Sequence, residues 1–152
     1  MRKVFLICLI LFSYGSIAQD SVEVKNKVIF GTYEGYGEQP QEEVRFRLTV
    51  VNNTDHGIPD LGPLYRYKYV HFYINGEIDD PLSLFNGIDV VKEEYLISAG
   101  EKGIFEHAWV LSADSGIVQK YGNEFTVQWE YNGIRSAVML VNLKSRTSRK
   151  VE

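Results

Sequence analysis

Three histidines, His56, His71 and His107, are the groups in this chain best suited to nucleophilic or acid–base chemistry. An imidazole activates a serine or threonine hydroxyl when a carboxylate orients it. His56 has Asp55 and Asp60 nearby in a turn-rich stretch, but no serine stands in a nucleophile-elbow or Ser-x-x-Lys context. The simplest reading of His56 is a solvated loop side chain. His71 and His107 fall in strand-like stretches and lack the helical or loop spacing of a zinc site. Hard oxygens for calcium are present in Asp79, Asp80, Asn86 and Asp89, and again in Asn53, Asp55 and Asp60, but neither set has EF-hand order. Glu42-Glu43 and Glu93-Glu94 are adjacent pairs, and in extended chain such neighbours point to opposite faces rather than across a cleft. No catalytic group, metal or cofactor is therefore expected.

The tyrosines suggest recognition instead. Tyr65, Tyr67, Tyr69, His71 and Tyr73 recur at alternate positions. On a strand they would share one face, with Val70, Phe72 and Ile74 on the other. Tyrosine gives rigid, amphipathic contact area at low entropic cost, which suits a protein interface. These five residues are the candidate binding residues. The expected partner is another protein; a glycan stacked on the rings is the alternative. From another functional class, the remaining reading is a hydrolase using a loop or strand histidine.

Period-two alternation positions these residues throughout. Val28, Phe30 and Thr32 alternate with Ile29, Gly31 and Tyr33, and Val44, Phe46, Leu48 and Val50 alternate with Arg45, Arg47 and Thr49. Asn52-Asn53-Thr54-Asp55 is a turn cluster, and it also matches a glycosylation sequon. A loop over His56–Tyr65 precedes a predicted strand over Tyr67–Ile74. Asn75-Gly76 and Asn132-Gly133 read as type I′ hairpins, and Asp79-Asp80-Pro81 ends the first. Leu82–Val91 is ambiguous. Ala99-Gly100-Glu101-Lys102 is a turn and Gly103–Leu111 a strand, with Phe105, Trp109 and Leu111 inward and His107 buried neutral beside them. Burying Glu106 instead would be costlier. Asp114–Tyr121 reads as one helical turn with Asp114 as its N-cap.

The two-residue loop at Asn132-Gly133 fixes a register in which opposed residues sum to 265. Tyr131/Ile134, Trp129/Ser136, Val127/Val138 and Phe125/Leu140 then share the core face. Glu130 meets Arg135 on the outer face. The fold class is all-β, a two-sheet antiparallel sandwich of seven or eight short strands.

Arg2 and Lys3, the apolar run Val4–Phe12 and the small residues of Ser16-Ile17-Ala18 form a secretory signal peptide over residues 1–18. The run is too short to span a bilayer, so the mature chain is not expected to be transmembrane. Export to the periplasm or beyond is expected, leaving a domain over 19–143 and a basic tail over 144–152. The only cysteine, Cys8, leaves with the signal, so no disulfide framework is expected. The formal charge of the whole chain is −4, and loss of Arg2 and Lys3 leaves 14 basic against 20 acidic residues. Lys144, Arg146, Arg149 and Lys150 crowd the tail, so the body is more acidic still and no nucleic-acid partner is expected.

Leu48-Thr49-Val50-Val51-Asn52-Asn53-Thr54 resembles a strand and turn of bacterial immunoglobulin-like domains. Ala99-Gly100-Glu101, with Phe105 and Trp109 after it, resembles a later turn and strand of the same domains. The intracellular proteinase inhibitor family has a similar pairing of the two patterns. The resemblance covers about a quarter of the mature chain and implies an immunoglobulin-like sandwich, with no functional residues carried over. The Cys–Trp–Cys hallmark of antibody domains is absent, and a secretory signal disagrees with an intracellular role.

Overall fold

A computed structural model describes residues 21–35, 39–80, 95–111 and 116–152. The expected signal, Leu82–Val91 and Asp114 lie outside these residues, as does Tyr36.

The chain is all-β, with antiparallel pairing throughout its described sheets. Strands β1 (Val22–Tyr33), β2 (Gln41–Asn52) and β7 (Lys102–Val110) form one sheet in the order β1-β2-β7. The larger sheet runs β11-β10-β8-β4-β5, from β4 (Val70–Ile74), β5 (Glu77–Ile78), β8 (Glu124–Tyr131), β10 (Met139–Asn142) and β11 (Thr147–Lys150). Strand β9 (Ile134–Arg135) also pairs with β8, and β3 (Ile58–Pro59) with β6 (Leu96–Ile97). Two short helices complete the described chain, α1 (Pro63–Tyr69) and α2 (Gly116–Tyr121).

One apolar core joins both large sheets. Val44, Phe46, Leu48 and Val50 of β2 are fully buried, as are Val70 and Phe72 of β4 and Trp129 of β8. Phe46 meets Phe72 at 5.3 Å between ring centroids, and Phe72 meets Trp129 at 4.4 Å. The alternation of β2 explains this: its odd positions carry Glu43, Arg45 and Arg47 to the outer face, where Glu106 accepts from Arg47 at 2.6 Å.

The expected turns form. Asn75-Gly76 has φ of 52° and 83°, and Asn132-Gly133 has 47° and 79°, as a type I′ turn requires. Glu130 and Arg135 oppose one another and pair at 2.9 Å.

Three expectations need correction. The predicted strand over Tyr67–Ile74 is a helix up to Tyr69 and a strand only from Val70. Pro63 opens that helix with a preset φ, and Arg66 and Lys68 lie in its last turn, where positive charge suits the carbonyl end. The inward set Val70, Phe72 and Ile74 stands.

The register after Asn132-Gly133 holds through Ser136, whose N–H donates to the Trp129 carbonyl at 2.8 Å. Beyond it, Met139 opposes Val127 and Val141 opposes Phe125, a slip of one residue. Buried Ser136 causes a local break: its hydroxyl accepts the Trp129 N–H at 3.0 Å, and Asn26 of β1 donates to the Val127 carbonyl at 3.1 Å. The slip exchanges faces, so Val141 enters the core in place of Leu140. Ile134 is exposed rather than inward.

The basic segment expected as a tail carries a strand of the larger sheet. Thr147–Lys150 pair with β10, and Val151 donates to the Val138 carbonyl at 2.9 Å. Arg146 turns the chain at φ 55° and reaches Glu42 at 2.7 Å.

Asn52 is not a glycosylation acceptor in the folded chain. It is fully buried, and its amide nitrogen donates to the carbonyls of His56 and Ile97 at 2.7 and 2.9 Å. Its backbone also bonds both Gly100 and Glu101. The turn after β2 and the turn over residues 99–102 therefore meet at this one residue.

Candidate binding groove

The change of structure at Val70 divides the five candidate residues. Tyr65, Tyr67 and Tyr69 lie on α1, while His71 and Tyr73 lie on the outer face of β4. One continuous stripe is thus replaced by two neighbouring surfaces.

On α1, Tyr65 and Tyr69 stand four residues apart and stack at 6.2 Å, as i,i+4 geometry allows. Tyr69 packs against the core. Tyr67 points away, 73% exposed. Between them Arg66 turns inward, with its guanidinium 4.3 Å from the Phe105 ring centroid and donating to the Leu61 carbonyl at 2.7 Å. Partial burial pulls its pKa below the usual arginine value, opposed by the charge of Asp60.

Arg66 forms one wall of a groove of about 380 Å³. The pair β3–β6 supplies Leu96 and Ile97, and β7 supplies Lys102 to Phe105. Gly103 lets Ile97 pack closely there, since a Cβ would lie 2.7 Å from Ile97 Cδ1 and push that methyl aside. Asp60 holds the entry to α1 by accepting the Gly62 N–H at 2.8 Å. Of the lining residues, Leu96 and Ile104 are each half exposed, and Tyr67 and Tyr95, next in sequence to Arg66 and Leu96, are more exposed still. Alternation missed this cluster because its members are far apart in sequence. The legible signals were the Gly62-Pro63 helix start and Ile104, an apolar residue on the polar face of β7.

The second surface is polar. His71 Nδ1 lies 2.8 Å from Asp80, whose other oxygen accepts the Phe72 N–H at 2.7 Å. Across the ladder His71 faces Glu130, which accepts from both Tyr73 and Arg135 at 2.9 Å. Arg135 also covers the Tyr73 ring at 4.5 Å, so Tyr73 is buried rather than presented. Arg135 holds the Glu130 carboxyl below its ordinary pKa, and burial followed by Glu130 raises the Tyr73 phenol. Among the described residues no serine or threonine hydroxyl bonds the imidazole of His71 or of His56. His56 sits on the surface against Asp55 at 2.9 Å.

His107 is in the core, as its neighbours Phe105 and Trp109 implied. The Trp109 indole N–H donates to His107 Nε2 at 2.5 Å, so that nitrogen carries no proton. Burial pushes its pKa down to about 4, against the opposing charge of Asp79. The carboxylates considered for calcium each have a protein partner: Asp79 pairs with Lys120, Asp80 with His71, Asp60 with Gly62 and Asp55 with His56. Asn86 and Asp89 lie outside the described residues.

No helix among the described residues is long and apolar enough to cross a membrane. No family model, curated protein or solved structure matches the chain.

Proposed function

We propose that the chain is an exported, non-catalytic binding protein with an immunoglobulin-like sandwich, and that it recognises another protein through the α1 groove. The carrying observation is a groove in which half-exposed Leu96 and Ile104 stand with inward-turned Arg66, flanked in sequence by exposed Tyr67 and Tyr95. Aromatic and arginine anchors set in a concavity, with a polar rim, are what protein interfaces use at their centres. Asp60, Glu101 and Lys102 supply that rim. The acidic body supports a partner other than nucleic acid. Hydrolysis has weaker support, because the His71–Asp80 pair lacks a bonded hydroxyl among the described residues.

The test begins with the full chain immobilised, a cell-envelope extract and identification of the retained protein by mass spectrometry. Its affinity should then fall at least about tenfold for Tyr67→Ala and for Leu96→Asp. Tyr33→Ala, on an exposed part of β1, should leave affinity unchanged. Equal affinity for all variants would overturn the assignment of the groove. Binding on a glycan array that Tyr67→Ala abolishes would replace the protein partner with a carbohydrate.

A further inference from the structure

Strand β7 ends its sheet, and no described strand pairs with its outer edge. The direction of its backbone groups follows from its ends. Glu101 accepts from the Asn52 N–H, and the Leu111 N–H donates to the Glu42 carbonyl. Odd-numbered residues of β7 therefore bond β2, and the even ones aim their N–H and C=O groups outward. Those are Lys102, Ile104, Glu106, Ala108 and Val110.

The other sheet edges differ. β1 is crossed by the β8–β10 region through the Asn26 side chain, which bonds Val127 and Ala137. β5 has two residues, and β11 has four with two cations. The nine-residue β7 is thus the long uncovered edge among the described residues. It has no proline, and Ile104, its third residue, stands half exposed. Such an edge is a template for pairing with another strand.

Its sequence is self-complementary. Laid antiparallel to a copy of itself about Ile104, the strand places Ile104 against Ile104 and Lys102 against Glu106 twice, once on each side of the two-fold axis. All these side chains lie on the outer face. The pairing aligns the outward N–H and C=O groups, so each opposed pair exchanges two main-chain bonds. Glu106 already binds Arg47 and Arg45, but Glu43 completes a neutral cluster with them, so an incoming ammonium meets no net positive charge. We infer that the chain forms a two-fold symmetric homodimer in which the β7 edges pair about Ile104, joining two three-stranded sheets into one. An isologous contact requires this reciprocity of residues. Lys102 and Ile104 also line the groove, so a second copy and the groove's partner compete for them, but the inference concerns the purified chain alone and does not rest on that partner.

Sedimentation velocity across a concentration series should show monomer and dimer in exchange. Ile104→Lys opposes two new cations and should weaken association at least about tenfold. Lys102→Glu opposes carboxylates and should weaken it in the same direction, while Lys102→Arg should retain it. Both positions are exposed, and circular dichroism should report unchanged folding. In a Cys8→Ser background, Ile104→Cys should oxidise to a disulfide dimer, since residues opposed in a hydrogen-bonded pair stand about 5.5 Å apart at Cα. Thr32→Cys, on β1, should not. A chain that stays monomeric to its solubility limit overturns the inference. So does a dimer that neither Ile104→Lys nor Lys102→Glu weakens, or one that Ile104→Cys fails to cross-link.

Discussion

Replacing Asn52 with alanine should cost about 3 kcal/mol of folding stability, read from the urea midpoint at unchanged m-value. The side chain has no exposed surface and fills all its bonding capacity. Its nitrogen donates to His56 and Ile97, and its oxygen accepts the backbone N–H and hydroxyl of Thr54 at 3.0 and 2.6 Å. Alanine orphans these partners together. A buried group left unbonded costs about 1–3 kcal/mol, and the Ile97 carbonyl sits deepest. The His56 and Thr54 partners lie nearer solvent, so water recovers part of their loss. Asn52→Asp should cost at least as much, because it turns a carboxylate oxygen toward two carbonyls. A loss below about 1 kcal/mol for Asn52→Ala would mean that the two turns hold each other without it.

Acidification from pH 6.5 to 4 should remove up to about 3 kcal/mol of stability through His107 alone. In the unfolded chain this imidazole takes up its proton near its ordinary pKa of 6.5, but in the fold only near 4. Between those values the unfolded state binds more protons, so stability rises with pH. The contribution is complete above 6.5 and is lost as pH falls through the folded value. The cause is desolvation among Phe72, Trp109 and the core, with the Trp109 indole occupying Nε2. Carboxylates held low by arginine, such as Glu106 beside Arg47, add losses at more acid pH. Comparison with His107→Gln isolates the imidazole, since glutamine can still accept from the indole. Parallel stability–pH curves for the two proteins would remove the assignment.

Much of the fold was legible because period-two alternation states which side chains go inward. β2, the inward set of β4, the two Asn-Gly turns and the burial of His107 all follow from local pattern. The candidate site was legible only in part. Tyr65, Tyr67 and Tyr69 alternate as a strand would, yet Pro63 and the packing of Tyr69 make the segment helical. A seven-residue helix has little stability of its own, so its neighbours decide between the two states. The slip at Ser136 was also hidden. It depends on Asn26, more than a hundred residues away in sequence, binding the carbonyls where the β8–β9 ladder ends.

By itself, the sequence determined the class, the composition of the core and the acidic balance of the body. These are sums over local choices, and burial energy follows them directly. Only the tertiary structure decided which exposed residues stand together. It gathers Arg66, Leu96, Ile104 and Phe105 into one groove, buries Tyr73 under Arg135 and leaves the edge of β7 open. The physical reason is that surface neighbours come from chain crossings and from the direction of unpaired backbone groups. Neither leaves a period in the sequence.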